Sequence, residues 1–331
     1  MTPSVRVGTR GSQLALWQAE RVAAVLRARH PGLVVEIVAI ESSGDRKSSQ
    51  PVAEMGAAGI FTREIERALQ EGTVDVAVHS LKDLPTESPA GLEIAAVLPR
   101  DDPRDALVAR ALAGQDLQDG DGAAALAALP SGARIATSSL RRRAELLRAR
   151  PDLQVVELRG NVPTRIAKVE RGDVDGVVLS NAGLVRLGLA PAGRVVLDTE
   201  TMLPAPAQGT IAVQVRAADE RTRLLARDID DAPTRLCTST ERLLLHELEG
   251  GCRIPLGALA RLDDQTLVLR ARLQTADGRT VLEDTQMGPA TQAAALAHRA
   301  AHELHASGAA RILAALRAAP PNHGVTRDPS N

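Results

Sequence analysis

ARIATSSLRRRAELLRARPDLQVVELRGNVPTRIAKVERGDVDGVVLS, residues 133–180, alternates short apolar runs with segments of helical period. ARIATS (133–138), VVELRG (155–160) and GVVLS (176–180) read as strands, separated by helices over 140–150 and up to Glu170. Strands that alternate with helices imply largely parallel sheets, because a parallel neighbour is reached only by a crossover connection. The same rhythm opens the chain. VRVGT (5–9), LVVEIVAI (33–40) and VDVAVHS (74–80) read as strands, and FTREIERALQ (61–70) as a helix. A longer helix over 12–29 sets Leu14, Trp17, Val22, Val25 and Leu26 at core spacing.

Proline-marked connectors, LPRDDPRD (98–105), LPAPAQG (203–209) and DIDDAPT (228–234), divide the pattern as hinges or linkers. Beyond the last, ALARLDD (258–264), TLVLRARLQ (266–274) and RTVLEDTQ (279–286) predict a small antiparallel sheet, followed by alanine-rich helices to about 319. The final PPNHGVTRDPSN lacks apolar periodicity and reads as a disordered tail over 320–331. The stretch 42–59, polar and glycine-containing, reads as a mobile lid between a strand and a helix. An Ala/Gly/Asp-rich segment over 113–128 reads as a surface insertion.

Composition excludes several classes of function. With 331 residues the chain is long enough for two or three domains, and its net charge of -1 gives no pull toward nucleic acid or anionic membrane. Trp17 and Phe61 are the only aromatic residues, too few for a platform that stacks bases. The opening MTPSVRVGTRGS has no apolar run of a signal peptide, and no stretch reaches the roughly 20 apolar residues that span a bilayer; a cytoplasmic protein is expected. Cys237 and Cys252 make no disulfide framework, and Cys237 falls within a helical pattern as a packing residue. His298, His302 and His305 share one helical face but have no acidic or cysteine partner, so no metal site is expected there.

Three features point to chemistry. EGGCRIPLG (249–257) presents Cys252 on a glycine turn beside Arg253, which favours the reactive thiolate; a half-buried structural cysteine fits the same turn. Three strand-to-helix junctions set hydroxyls, backbone N–H groups and arginines at helix N-termini: Thr9 to Ser12 with Arg10, Thr137 to Arg142, and Arg159 to Arg165. A helix N-terminus favours anions, and parallel sheets bind ligands at this edge, so a ligand with several carboxylates suits all three. Capping alone would explain any one of them. In VHSLKDLP (78–85) a buried strand ends in Lys82-Asp83; an extended segment would aim these neighbours to opposite sides.

VGTRGSQLALWQ (7–18), GIFTREIERAL (59–69), VHSLKDLP, DDPRDALV (101–108), TSSLRRR (137–143), LRGNVPTR (158–165), AGLVRLGL (182–189), PAPAQG (204–209) and LEGGCRIPLG (248–257) together closely resemble the porphobilinogen deaminase, or hydroxymethylbilane synthase, family. The motifs occur in the family's order and span about 5–318. The resemblance implies an α/β fold of three domains: two type II periplasmic-binding-protein-like domains, at 1–99 with 209–228 and at 104–203, plus a small α+β domain with an antiparallel sheet at 232–319. It implies head-to-tail condensation of four porphobilinogen molecules, with loss of ammonia, on a covalently bound dipyrromethane primer. Hydrolysis then releases hydroxymethylbilane.

Residue by residue, the resemblance makes Cys252 the thioether anchor and Asp83 the catalytic carboxylate, which stabilises the cation left when ammonia departs and assists proton transfer. Lys82, Asp83, Thr137, Ser139, Arg141, Arg142, Gly160 and Arg186 fall to the cofactor. Arg10, Ser12, Gln18, Phe61, Arg159, Asn161, Arg165 and Gln208 fall to substrate, and no metal is implied. Arginine suits carboxylates because it pairs bidentately. A monomer that binds neither nucleic acid nor membrane is expected. The chain departs from the family pattern at Ala58, where lysine is common, leaving Arg63 as a candidate contact. Pro163 and Ala207 stand where glycine is usual. A non-enzymatic solute-binding or effector-sensing module for a carboxylate ligand is the alternative; it explains the sheets and anion junctions but not Cys252.

Overall fold

The computed structural model describes residues 4–41, 62–248 and 254–318. Cys252 and Arg253, Phe61, the 42–59 stretch with Ala58, and the expected tail lie outside the described residues. The chain divides into two compact units, Met1–Asp101 with Gly209–Ser239 and Asp102–Gln208 with Thr240–Asn331.

In the first unit five strands, β1 (Ser4–Arg10), β2 (Val34–Ile40), β3 (Val76–Ser80), β4 (Leu92–Val97) and β10 (Ile211–Arg216), form a sheet in the order β2-β1-β3-β10-β4. β1 pairs in parallel with β2 and β3, whereas β10 runs antiparallel between β3 and β4. Helices α1 (Gln13–Arg29) and α2 (Arg63–Gln70) carry the residues that bury the two faces. Val76 and Val78 pack with Ala19, Val22 and Leu26 on one side; Val74 and Ala77 pack with Ile65 and Leu69 on the other. Burial of both faces explains why VDVAVHS reads as a continuous apolar run.

The second unit repeats the plan. β5 (Asp105–Ala109), β6 (Arg134–Ala136), β7 (Gln154–Val156), β8 (Gly176–Ser180) and β9 (Arg194–Val196) align as β7-β6-β8-β5-β9. β6 is parallel to β7 and β8, and β5 is antiparallel to β8 and β9. Ala106 and Val108 enter one core while Leu107 and Ala109 enter the other, the period of two expected of a strand covered on both faces. Each sheet is therefore mixed rather than largely parallel. The antiparallel member of each is a strand at a chain crossing, and the expected hinge over 98–105 ends by entering β5.

The segment expected as a surface insertion is partly core. α3 (Gly122–Ala127) buries Ala125 and Leu126 with Leu112 and Leu129 against the second sheet. Its helix also passes closely over the 198–201 turn, since a Cβ at Gly122 would stand 2.7 Å from Asp198 and Thr201 oxygens.

The remaining helices of the second sheet are α4 (Leu140–Ala149), α5 (Val162–Arg171) and α6 (Asn181–Arg186). α7 (Glu220–Arg227) belongs to the first unit, and α8 (Ala232–Glu247) leads to an antiparallel meander of β11 (Leu256–Asp263), β12 (Thr266–Gln274) and β13 (Val281–Pro289). Cys237 is buried in α8, as expected of a packing residue. α9 (Ala293–Ala306) lays Leu296, Ala297, Ala300, Ala301 and Leu304 inward, and α10 (Ala309–Ala318) follows. His298, His302 and His305 are exposed on the opposite face, and no metal-ligating cluster occurs among the described residues.

The meander is fastened to the second sheet's helices and connections. Arg272 of β12 donates two hydrogen bonds of 3.0 Å to the buried carboxylate of Glu145 in α4. A Cβ on Gly278, at φ 71°, would stand 2.4 Å from the Ala144 carbonyl oxygen. Glu241 of α8 accepts from the backbone N–H groups of Ala207 (2.6 Å) and Ala260 (2.7 Å), pinning the 203–209 connection to β11. Ala207 sits at φ 60°, the left-handed region where glycine is favoured.

Candidate functional site

In the first unit the parallel register Val7↔Val76 and Gly8↔Ala77 brings the carboxyl ends of β1 and β3 side by side. Arg10 closes β1, half-buried, and Ser12 caps α1 by accepting from the Ala15 N–H at 3.3 Å. Gln18 was expected to face substrate, yet its buried side chain donates from Nε2 to Ser80 Oγ at 2.9 Å. That bond ties α1 to the end of β3.

Directly beyond Ser80, Leu81–Asp83 forms a 3-10 turn rather than an extended segment. Leu81 and Leu84 are buried on either side; the Leu81 N–H donates to the Thr210 carbonyl at 2.9 Å, and Leu84 closes the turn on Leu81 at 3.2 Å. The pattern LKDL thus anchors two leucines and leaves Lys82 half-buried and Asp83 exposed between them. A carboxylate held on so short and doubly anchored a turn is presented with little conformational freedom.

Behind this turn runs a buried polar chain that the sequence did not reveal. His79 Nε2 lies 3.1 Å from Gln214 Oε1, Gln214 Nε2 donates to Glu66 Oε1 at 3.3 Å, and Thr62 Oγ1 donates to Glu66 Oε2 at 3.2 Å. Because the Gln214 amide N–H faces the glutamate, its oxygen faces the imidazole, and His79 must donate from Nε2. Burial pushes the His79 pKa down to about 4, only partly opposed by the Gln214 hydrogen bond.

In the second unit the junctions expected to bind anions are also well-formed caps. Ser139 accepts from the Arg142 N–H at 3.4 Å at the start of α4, and Asn161 accepts from the Thr164 N–H at 2.9 Å at the start of α5. Pro163 falls within the first turn of α5, where its missing N–H costs no helical bond. Thr137 is buried and accepts from the Ser139 N–H at 3.1 Å. Gly160 stands at φ 115°, and its carbonyl accepts from Arg165 Nε at 2.8 Å. Arg159 is half-buried and Arg186, the last residue of α6, is buried.

Arg141 and Arg142 are 3% and 7% exposed, and both grip Asp105, which is 0% exposed. Arg141 Nη2 donates to Asp105 Oδ2 at 2.7 Å; Arg142 donates to Oδ1 from Nη2 at 2.7 Å and from Nε at 3.1 Å. Arg141 Nη1 also holds the Leu203 carbonyl at 2.7 Å, and Arg142 Nη1 the Val178 carbonyl at 3.1 Å. Gln208, expected to bond substrate, is buried and donates to Asp105 Oδ1 at 2.9 Å and to the Pro103 carbonyl at 2.7 Å.

Among the described residues, Arg141 and Arg142 hydrogen-bond one shared carboxylate, while Glu145 and Glu157 act on Arg141 and Arg165 through charge. A third guanidinium group, Arg165, has its pKa lowered to about 10 by burial and then by the charge of Arg142, with Glu157 opposing. Burial also lowers the Arg141 pKa, with Asp105 opposing and Arg142 reinforcing the effect. Arg141 Nε is buried with no hydrogen-bond partner among the described residues. An anion would relieve both the repulsion and the orphaned donor. A ligand bearing several carboxylates, such as dipyrromethane, fits this donor set.

A family model described as porphobilinogen deaminase, dipyromethane cofactor binding domain, matches residues 5–224, and one described as its C-terminal domain matches 235–306. The porphobilinogen deaminase of Syntrophotalea carbinolica is 45% identical over 317 residues, covering 96% of this chain and 97% of that protein. Those of Acidithiobacillus ferrooxidans (45% over 317 residues, 96% and 99% covered) and Xanthomonas euvesicatoria pv. vesicatoria (45% over 314 residues, 95% and 99% covered) are similar to the same extent. A likeness to the solved BenM effector binding domain with its effector benzoate is weak: 18% identity, TM-score 0.42, over 69% of this chain and 90% of that one. Matched by both family models and by relatives along almost its whole length, the chain belongs to the porphobilinogen deaminase family.

Proposed function

We propose that this transferase, a hydroxymethylbilane synthase by family, condenses four porphobilinogen molecules head to tail with Asp83 as its catalytic carboxylate and Cys252 as the anchor of its dipyrromethane primer. The observation that carries the reading is the buried arginine cluster in which Arg141 and Arg142 share the single Asp105 carboxylate beside Arg165. Such a cluster selects a polycarboxylate over the monocarboxylate of an effector or solute. When bound, the primer would supply the terminal pyrrole carbon to which the first of the four units is joined.

The chain's own residues supply binding and charge. Arg141, Arg142, Thr137, Ser139, Gly160, Arg186 and Lys82 hold primer carboxylates, and Arg10, Ser12, Arg159, Asn161, Arg165 and Phe61 receive substrate. Gln18 and Gln208 act behind them, as supports for Ser80 and for Asp105. Asp83, exposed on its anchored turn, stabilises the positive charge that develops on porphobilinogen as ammonia leaves, and it accepts or returns the proton moved in coupling. The working form is a cytoplasmic monomer of three domains, divided at 1–99 with 209–228, 104–203 and 232–319. No helix among the described residues is long and apolar enough to cross a membrane.

Intact mass spectrometry and turnover test the reading together. The chain should carry an adduct of two pyrrole units that disappears in Cys252→Ser, and Asp83→Asn should keep the adduct while losing nearly all turnover. A bare chain mass would restore the binding-module alternative. Near-normal turnover in Asp83→Asn would remove Asp83 from its role.

A further inference from the structure

Asp105 was not singled out as a site residue, and no role in the reaction follows from its place at the start of β5. Its surroundings give it one. Both carboxylate oxygens are occupied: Oδ1 accepts from Arg142 Nε, Arg142 Nη2 and Gln208 Nε2, and Oδ2 accepts from Arg141 Nη2. A structural ion pair balances one charge with one charge. Here a single carboxylate is hydrogen-bonded to two buried guanidinium groups and, among the described residues, a buried N–H of Arg141 is left without a partner. An uncompensated buried charge is costly, so the cluster is poised to gain a second anion.

We propose that Asp105 is the positioning residue and built-in counter-charge of the arginine pair, fixing Arg141 and Arg142 for the carboxylates of a polyanionic ligand and limiting the surplus charge they present before it arrives. The inference rests on the reading that these arginines hold primer carboxylates. In Asp105→Asn the amide NH2 must face an arginine N–H, donor against donor, and two guanidinium groups lose the carboxylate they share. The deficit is one of negative charge, so an external multivalent anion should make it good. A packing defect would not respond in that way.

The test uses the full chain carrying Cys252→Ser, with intact mass confirming that no primer is attached, and citrate as the probe against sodium chloride of equal ionic strength. Asp105→Asn should lower Tm in chloride, and citrate should restore at least half of that loss. Asp230→Asn, which breaks the ion pair with Arg235 in the first unit, should lose Tm equally in both salts. Restoration of neither variant, or of both alike, would overturn the proposal. Should Asp105→Asn not fold, Arg142→Gln decides: it leaves Asp105 and Arg141 one to one, so the rise of Tm in citrate should fall at least twofold, and an unchanged rise refutes the proposal. Mass reports on the tether and melting on Asp105, so the two readings fail separately.

Discussion

Between pH 7 and pH 4 acid should weaken the first unit chiefly through His79. Its imidazole is buried on β3, donates to Gln214, and has a pKa lowered from 6.5 to about 4, burial being the dominant cause. The unfolded chain takes up a proton below pH 6.5 that the folded chain refuses until about pH 4. Stability contributed by neutral His79 is therefore fully present at pH 7, falls through that window and levels off below it. The gap corresponds to ~3 kcal/mol. His79→Gln keeps a donor N–H near the position of Nε2 but cannot titrate. Urea unfolding followed by the fluorescence of Trp17, the sole tryptophan and part of α1 in the same unit, isolates the effect. Between pH 7 and pH 4 the parent should lose ~3 kcal/mol more than His79→Gln. Other carboxylates titrate alike in both chains and cancel. Losses that agree within ~1 kcal/mol would refute a buried neutral imidazole.

Two further outcomes concern the second unit. Gly278→Ala places a Cβ 2.4 Å from the Ala144 carbonyl oxygen and 2.6 Å from the Arg148 nitrogen, at a positive φ. It should cost ~2 kcal/mol or more in urea unfolding, and a neutral result would mean that the β12–β13 hairpin does not dock on α4. Ala207→Gly should raise Tm modestly, by an amount equivalent to at most ~1 kcal/mol, because relief of left-handed strain outweighs the added chain entropy. A fall in Tm would show that Ala207 is unstrained.

The helices and inner strands were legible because their apolar periodicity is local, and so were the capped junctions at Ser12, Ser139 and Asn161. The antiparallel strands β5 and β10 were not recognised, since their partners are set by chain crossings that leave no local signal. The contacts of two glutamines were hidden for a related reason. Gln18 meets Ser80, 62 positions away, and Gln208 meets Asp105, 103 positions away, so both amides that look available in the sequence are committed in the fold. Lys82 and Asp83 were found by type, but the turn that presents them depends on Leu81 bonding to Thr210. The buried part of the 113–128 segment was not legible, because alanine and glycine suggest a surface even where Ala125 and Leu126 fill a core.

The position of β10 has a consequence for the order of events on the ribosome. β4 is joined to the first sheet only through β10, which is synthesised after every strand of the second sheet. All strands of that second sheet lie between residues 105 and 196, so it can close while β10 is still unmade. Vectorial synthesis therefore reverses the order in the gene: the unit that begins the chain is completed after the sheet inserted into it. Until residue 216 emerges, β3 and β4 expose unpaired edges, and a nascent chain stalled between residues 97 and 211 is the one most exposed to misassociation.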